Sequence, residues 1–133
     1  MHLLKAQPET IFQALSDSTR IRVVRLLAAT NEEACLCELV DSLVEPEYKL
    51  SRHIKILKNS GLLTARKDGR WVYHRLVDKV PYLESLYETV KYLPDDEGFF
   101  KKDLVNFKKR MKIREEGRCQ VGILTKDLSE KTK

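Results

Sequence analysis

The sequence of 133 residues predicts a fold of the α+β class that is mainly α-helical. Three observations support this prediction. Apolar residues recur with the period of amphipathic helices along most of the chain. Prolines and capping residues mark the ends of these helical stretches. The pair Asp68-Gly69 separates two short strand-like runs, which is typical of a β-hairpin.

The first half of the chain predicts four helices. Pro8 opens the first helix, which reaches Leu15, and the capping residues 16–18 precede the second. A third helix is expected over residues 34–43, after a loop at residues 31–33. Pro46 begins the fourth helix, because proline is well tolerated in a first helical turn.

The fourth helix has one buried and one polar face, and Gly61 ends it. Leu50, Ile54 and Leu57 recur at the spacing of a buried stripe. The opposite face carries an aromatic ring, a hydroxyl group and positive charges, from Tyr48, Ser51, Arg52 and Lys55. Such groups read base edges and hold phosphates, so this face is predicted to contact nucleic acid.

A basic hairpin follows the fourth helix. Residues 62–66 and 71–77 are the two strand-like runs, and Asp68-Gly69 predicts a type I′ turn between them. A further helix spans residues 80–93. A last amphipathic helix, with Phe100, Leu104, Phe107 and Met111 in register, is expected to end at Gly117.

The order of these elements predicts a winged helix-turn-helix with a C-terminal helical extension. Residues 1–95 would form a domain for DNA binding and dimerisation, and residues 96–133 a C-terminal helix and tail. Beyond Arg118 the tail is expected to be loosely held, apart from residues 121–124.

Positive charge is concentrated in one block of the sequence. The net charge is +5 overall, but residues 49–75 hold eight Lys or Arg side chains against the single acid Asp68. Residues 1–48 are net negative. This asymmetry is typical of a nucleic-acid-binding element, because a uniformly solvated basic surface would not show it.

Several spaced motifs resemble the ArsR/SmtB family of metal-responsive bacterial repressors. They are LSDSTR at 15–20, CLCEL at 35–39, LSRH at 50–53, SGLL at 60–63 and KDGRWVY at 67–73. The resemblance covers about residues 8–93. It implies a homodimer, formed by the first helix and the helix after the wing, that binds operator DNA and is released when a metal or metalloid binds.

The resemblance also implies a role for the cysteines. Arsenic-sensing members carry Cys-x-Cys at the place of Cys35 and Cys37, often with a third cysteine where this chain has Val40. As(III) and Sb(III) are soft ions that favour three thiolates. Cys119 is the one remaining thiol, from its own subunit or from the partner, and a site of Cys35, Cys37 and Cys119 is therefore expected.

The spacing of Cys35 and Cys37 predicts a geometric conflict. Two residues at i and i+2 lie about 200° apart on a regular helix. Both could hold one ion only if the start of the third helix unwound. That distortion is the predicted switch that moves the recognition helix off the DNA.

The predicted DNA contacts lie on the fourth helix and the wing. They are Tyr48, Lys49, Ser51, Arg52, His53, Lys55, Lys58, Arg66, Lys67 and Arg70. Arg52 can grip a guanine edge bidentately, and the lysines would neutralise phosphates. A twofold dimer would read double-stranded operator DNA that contains an inverted repeat.

The sequence also bears on localisation and on other functions. No apolar run is long enough to span a membrane, and no signal peptide opens the chain, so a cytoplasmic protein is expected. No nucleophile–base constellation or phosphate-binding glycine loop predicts an enzyme. A zinc site on the helix after the wing is disfavoured because this helix has no histidine. A lead or cadmium sensor, a thiol-based redox sensor and an effector-free architectural DNA-binding protein remain as alternatives.

Overall fold

The computed structural model describes residues 7–125 and Leu128. Within them the chain forms six α-helices and three β-strands, and no described helix is both long and apolar enough to cross a bilayer. The elements are α1 (Pro8–Ala14), α2 (Ser18–Thr30), β1 (Ala34–Cys35), α3 (Leu36–Leu43), α4 (Glu47–Asn59), β2 (Leu63–Asp68), β3 (Trp71–Leu76), α5 (Pro81–Lys91) and α6 (Phe99–Met111). This order confirms the predicted winged helix-turn-helix, in which α3 and α4 are the helix-turn-helix and β2–β3 the wing.

One hydrophobic core joins the helices. Val23 of α2, Leu39 of α3 and Leu57 of α4 are fully buried in it. Phe107 of α6 belongs to the same core, so the C-terminal helix packs on the elements before it. The division of the chain into a DNA-binding and dimerisation domain (1–95) and a C-terminal helix and tail (96–133) stays a prediction.

The start of α3 differs from the prediction. Residues 34 and 35 are extended and form β1, and Cys35 is the N-cap of α3 with φ −74° and ψ 159°. Glu38 stabilises this start, because its carboxylate accepts the Cys35 N–H at 2.9 Å. The prediction that helix α3 begins at Ala34 was wrong.

The strand β1 completes a three-stranded antiparallel sheet in the order β1-β3-β2. Its register pairs Ala34 with His74 and Cys35 with Tyr73. The sequence predicted only the hairpin, because two residues carry too little period-2 pattern to reveal a strand. The sheet therefore places Cys35 beside the wing.

The wing turn lies one residue later than predicted. Asp68 pairs with Trp71, so Gly69 and Arg70 form the turn. Gly69 has φ +63°, whereas Arg70 is not among the residues with positive φ. The turn is therefore not type I′, and it has the Gly-first character of a type II′ turn.

After α6 the chain is anchored by hydrogen bonds as far as Thr125, although most of its side chains there are exposed, so this part of the predicted loose tail is held in place; the rest of that tail lies mostly outside the described residues. Helix α6 ends at Met111 rather than at Gly117. Glu116 and Gly117 both have positive φ in a tight turn closed by hydrogen bonds between Glu115 and Arg118. We call residues 112–125 the strap, because this turn returns the chain to α3.

Ion pairs of α6, at Asp103 and Arg110, help to fix this helix and the strap to the rest of the molecule. On the buried face of α6, Asp103 accepts from Arg22 at 2.8 Å. Arg110 donates to Asp41 at 2.7 Å, and their side chains are 4% and 8% exposed. Asp41 also accepts from the backbone N–H groups of Leu124 and Thr125. The hydrophobic periodicity of α6 did not reveal this polar half of its packing.

Candidate functional site

The three cysteines lie together in one buried cluster. The sulfur atoms of Cys35, Cys37 and Cys119 are all within 4.8 Å of one another. All three are free thiols, and their residues are 2%, 9% and 2% exposed. Among the described residues, this is the one group of three or more such donors close enough to hold an ion.

The three sulfur atoms belong to three different segments of the chain. Cys35 ends β1, Cys37 lies in the first turn of α3 and Cys119 belongs to the strap. The Cys37 and Cys119 sulfurs are 3.7 Å apart. Because Cys35 precedes the helix, the i, i+2 conflict does not arise. The unwinding predicted for α3 therefore has no geometric basis.

The position of Cys119 is also different from that expected. The sequence predicted a loosely held tail beyond Arg118, yet Cys119 is buried and its backbone N–H donates to the Tyr73 hydroxyl at 2.8 Å. The thiols of Cys37 and Cys119 both contact the Val121 carbonyl oxygen, at 3.6 and 3.3 Å. Within the chain, the Cys119 sulfur therefore lies beside those of Cys35 and Cys37.

The cluster favours one thiolate near neutral pH. Hydrogen bonding from the Cys35 thiol lowers the pKa of Cys37 to about 7, and the Arg110 guanidinium favours the same anion. The Cys37 contact and burial raise the pKa of Cys35. Burial raises the pKa of Cys119 to about 11. Since the thiolate is the form of cysteine that acts as a nucleophile or metal ligand, Cys37 is the most readily ionised of the three thiols.

Charged residues behind the cysteines were missed in the sequence. Glu38 is fully buried and accepts from Arg114 at 2.7 and 2.8 Å as well as from Cys35. Arg110 also donates to the carbonyl oxygens of Val121 and Gly122 in the strap. A glutamate three residues after an N-cap was the available signal for Glu38. No local sequence signal indicated the distant partners Arg110 and Arg114.

The predicted DNA-binding residues form two exposed groups. Helix α4 presents Lys49, Ser51, Arg52, Lys55 and Lys58 to solvent, and the wing presents Arg66, Lys67 and Arg70. Among the described residues, no carboxylate lies within 4.0 Å of the cationic groups of Arg52, Lys55, Lys58, Lys67 or Arg70. Tyr48 is half-buried, with Arg52 lying 5.9 Å from its ring centroid.

Arg66 and His53 are less available than the other predicted contacts. Arg66 is paired with Glu33 and Asp68, which compensates its charge. His53 turns toward the start of α2, where Arg20 lies 3.1 Å from its Nδ1. Burial lowers the pKa of His53. We therefore expect smaller contributions to DNA affinity from these two residues.

His74 faces a cavity between α4 and the sheet. The cavity, of about 350 Å³, is also lined by Leu36, Ser51, Lys55 and Lys58. Burial, followed by the charge of Lys58, lowers the pKa of His74 to about 4. His74 is therefore neutral at physiological pH. It belongs to no group of possible metal ligands among the described residues.

Comparison with known proteins agrees with this architecture. Residues 17–65 match the family described as bacterial regulatory protein, arsR family. The chain is 42% identical over 74 residues to the arsenical resistance operon repressor of Escherichia coli, a match covering 56% of this chain and 62% of that protein. It therefore spans somewhat less than two thirds of that relative's length.

Two further matches extend the comparison. An HTH-type transcriptional regulator of Methanocaldococcus jannaschii is 41% identical over 68 residues, covering 51% of this chain and 75% of that protein. The solved structure of HlyU from Vibrio cholerae superposes with a TM-score of 0.56 at 22% identity, covering 62% of this chain and 85% of that one. The latter likeness concerns the fold alone.

Proposed function

The chain belongs to the arsR family of bacterial regulatory proteins, and from that premise we propose that it is a cytoplasmic, homodimeric repressor released from operator DNA by As(III) or Sb(III). Cys35, Cys37 and Cys119 would hold the ion. The observation that carries this proposal is the approach of three buried sulfurs to within 4.8 Å of one another.

The donor set fits a three-coordinate soft ion. In a pyramidal site with metal–thiolate bonds of about 2.3 Å, the sulfur atoms are about 3.4 Å from one another. The Cys37 and Cys119 sulfurs, 3.7 Å apart, are close to that spacing, and the whole set lies within 4.8 Å, so binding needs only a small closure of the cluster. The nearby carboxylate of Glu38 is already engaged by Arg114 and by the Cys35 N–H. A set of three sulfurs without a fourth donor favours As(III) or Sb(III) over ions that prefer four ligands, such as Cd(II) and Zn(II). Lead remains the alternative metal, because thiolates suit it as well.

The exposed surface supports a dimer that binds DNA. Phe12 on α1 and Tyr82 on α5 are 64% and 56% exposed, which suits the two helices expected to form the dimer contact. The cations of α4 and the wing supply a surface for phosphates. Two such surfaces related by a twofold axis would read an inverted repeat.

A redox function is the second candidate, because the Cys37 and Cys119 sulfurs are only 3.7 Å apart. In that reaction the Cys37 thiolate would attack a peroxide, and Cys119 would displace water from the resulting sulfenic acid. A disulfide forms, the two thiols lose two electrons and two protons, and the peroxide is reduced.

An operator-release experiment tests the proposal. An operator is first selected with the purified protein from random duplex DNA, and we expect the selected sequences to contain an inverted repeat. Arsenite or antimonite should then release the labelled duplex, and an excess of a small dithiol should restore binding. A complex that persists at saturating arsenite, antimonite and lead would rule out metalloid sensing. Release by peroxide alone would favour the redox function.

The Arg52→Ala variant tests the DNA interface. Loss of a bidentate base contact is expected to weaken operator binding by about 1–3 kcal/mol while random DNA is bound nearly as before. Fluorescence anisotropy with both duplexes at one salt concentration measures the difference. Lys102→Ala on α6 removes the same charge away from α4 and is the matched control. Equal losses on both duplexes would make Arg52 a phosphate contact only.

A further inference from the structure

Tyr73 contacts two of the segments that carry the cysteines, β1 with Cys35 and the strap with Cys119. It is 1% exposed and lies in the wing strand β3. Its backbone is paired with Cys35 in the sheet. Its hydroxyl oxygen accepts the backbone N–H of Cys119 at 2.8 Å. The Tyr73 side chain therefore contacts the backbone of Cys119, and the Tyr73 backbone pairs with that of Cys35.

The strap needs such a contact to place Cys119. It has no regular strand pairing to the sheet among the described residues. Beyond Cys119 it is held by Arg110, which donates to the Val121 and Gly122 carbonyl oxygens. At Cys119 itself the backbone anchor is the Tyr73 hydroxyl. A hydrogen bond at this point fixes the sulfur-bearing residue rather than its neighbours.

The ring of Tyr73 is fixed in turn by two guanidinium groups. Arg66 of the wing lies 4.7 Å from the ring centroid and Arg114 lies 5.4 Å from it. Arg114 is paired with Glu38, the residue that caps Cys35. The tyrosine thus packs between a predicted DNA-contacting side chain and the charged group behind the thiols.

We propose that Tyr73 is a positioning residue that holds the third thiol for ligand binding and joins the thiol site to the wing. This inference rests on the proposed function of the three cysteines as an effector site. A displacement of Cys119 or Cys35 on ligand binding acts on β3 directly through Tyr73. The wing is therefore joined to the site directly, as α3 is through Cys37, and the connection needs no unwinding of α3.

The test is the Tyr73→Phe variant, which keeps the ring and removes only the hydroxyl acceptor. In the free protein, iodoacetamide should alkylate Cys119 about tenfold faster, because one hydrogen bond no longer holds the strap in place. Arsenite should bind about tenfold more weakly for the same reason. Mass spectrometry of the Cys119 peptide and thiol-competition titration give the two numbers.

Two controls separate positioning from a general structural role. Tyr87→Phe removes another buried hydroxyl, one that donates to Val77 and does not touch the cysteines, and it should change neither quantity. In a Cys119→Ser background, Tyr73→Phe should alter the remaining arsenite affinity by less than about twofold, because its effect passes through Cys119. An equal loss in both backgrounds would overturn the proposal.

The outcomes also separate this inference from the function it rests on. Unchanged Cys119 alkylation and arsenite affinity in Tyr73→Phe overturn the inference alone. A wild-type protein that binds no arsenite overturns the proposed function, while the alkylation rates still decide the role of Tyr73. If Tyr73→Phe does not fold, amide hydrogen exchange of the wild type decides instead. Protection of the Cys119 N–H no greater than that of the Gln120 N–H would contradict the proposal.

Discussion

Replacing Cys119 by Ser is expected to weaken arsenite binding by about 100-fold, since a four-ligand zinc site worth 10–16 kcal/mol implies about 3 kcal/mol for each ligand. Operator affinity in the absence of arsenite should be unchanged, because Cys119 lies in the strap and not on α4 or the wing. The hydroxyl of serine is a hard donor and does not replace a thiolate toward a soft ion. Operator release should therefore require about 100-fold more arsenite.

The control for this variant is Gln120→Ser, which changes the neighbouring, exposed strap residue and keeps all three thiols. Arsenite affinity is measured by competition with a small dithiol, and release by anisotropy of the labelled operator. Wild-type affinity in Cys119→Ser would show that Cys35 and Cys37 suffice and that the strap thiol is not a ligand. Loss in Gln120→Ser as well would point to disturbance of the strap.

A heterodimer of two variants tests which subunit supplies the Cys119 sulfur. The structure brings Cys119 to the Cys35 and Cys37 of its own chain. In a heterodimer of Cys119→Ser with a chain that carries Cys35→Ser and Cys37→Ser, no single chain then keeps all three thiols. We expect such a heterodimer to lack the tight site. High affinity in it would show that Cys119 crosses to the partner.

The sequence was sufficient to predict the fold because its signals are local. The apolar stripe of α4, the cap at Asp17 and the proline at the start of α5 each specify a helix from nearby residues. Asp17 accepts the Arg20 N–H at 3.1 Å, as its position before α2 predicted. These elements needed no knowledge of distant partners.

The candidate site was predictable in composition but not in geometry. Its three cysteines could be named, yet the helical wheel separated Cys35 from Cys37 because it assumed a helix that begins at Ala34, two residues before the actual start of α3. The backbone of Cys35 is extended since β1 pairs with β3, a contact to a residue 38 positions away. Such a pairing has no local pattern. The same holds for Tyr73, whose hydroxyl contacts Cys119.

The hydrogen bonds that hold the strap are also long-range contacts that local sequence patterns do not reveal. Its sequence is polar, which favours a loose tail on composition alone. The buried Asp41 carboxylate nevertheless accepts from Leu124, Thr125 and Arg110, and these bonds add to the few hydrophobic contacts of the strap, at Cys119 and Ile123. Local hydropathy cannot reveal an anchor that lies in another helix.

Replacing Asp41 by Ala is accordingly expected to lower the free energy of unfolding by about 3–5 kcal/mol, because it leaves the Arg110 charge buried without its partner. This is a large part of the stability of a domain of this size, which is about 5–15 kcal/mol. Urea unfolding followed by circular dichroism measures the change. Asp96→Ala, at an exposed carboxylate, is the control and should differ little from the wild type.

A second variant identifies the cause of that loss. In Asp41→Leu/Arg110→Met both charges are replaced by apolar side chains, so most of the stability should return, because removing a whole buried ion pair is often close to neutral. The strap would still lack its acceptor for Leu124 and Thr125, and Cys119 would be less firmly placed. The double variant should therefore fold but bind arsenite more weakly than the wild type. Stability as low as that of Asp41→Ala would mean that the strap contacts, rather than the unpaired Arg110, account for the loss.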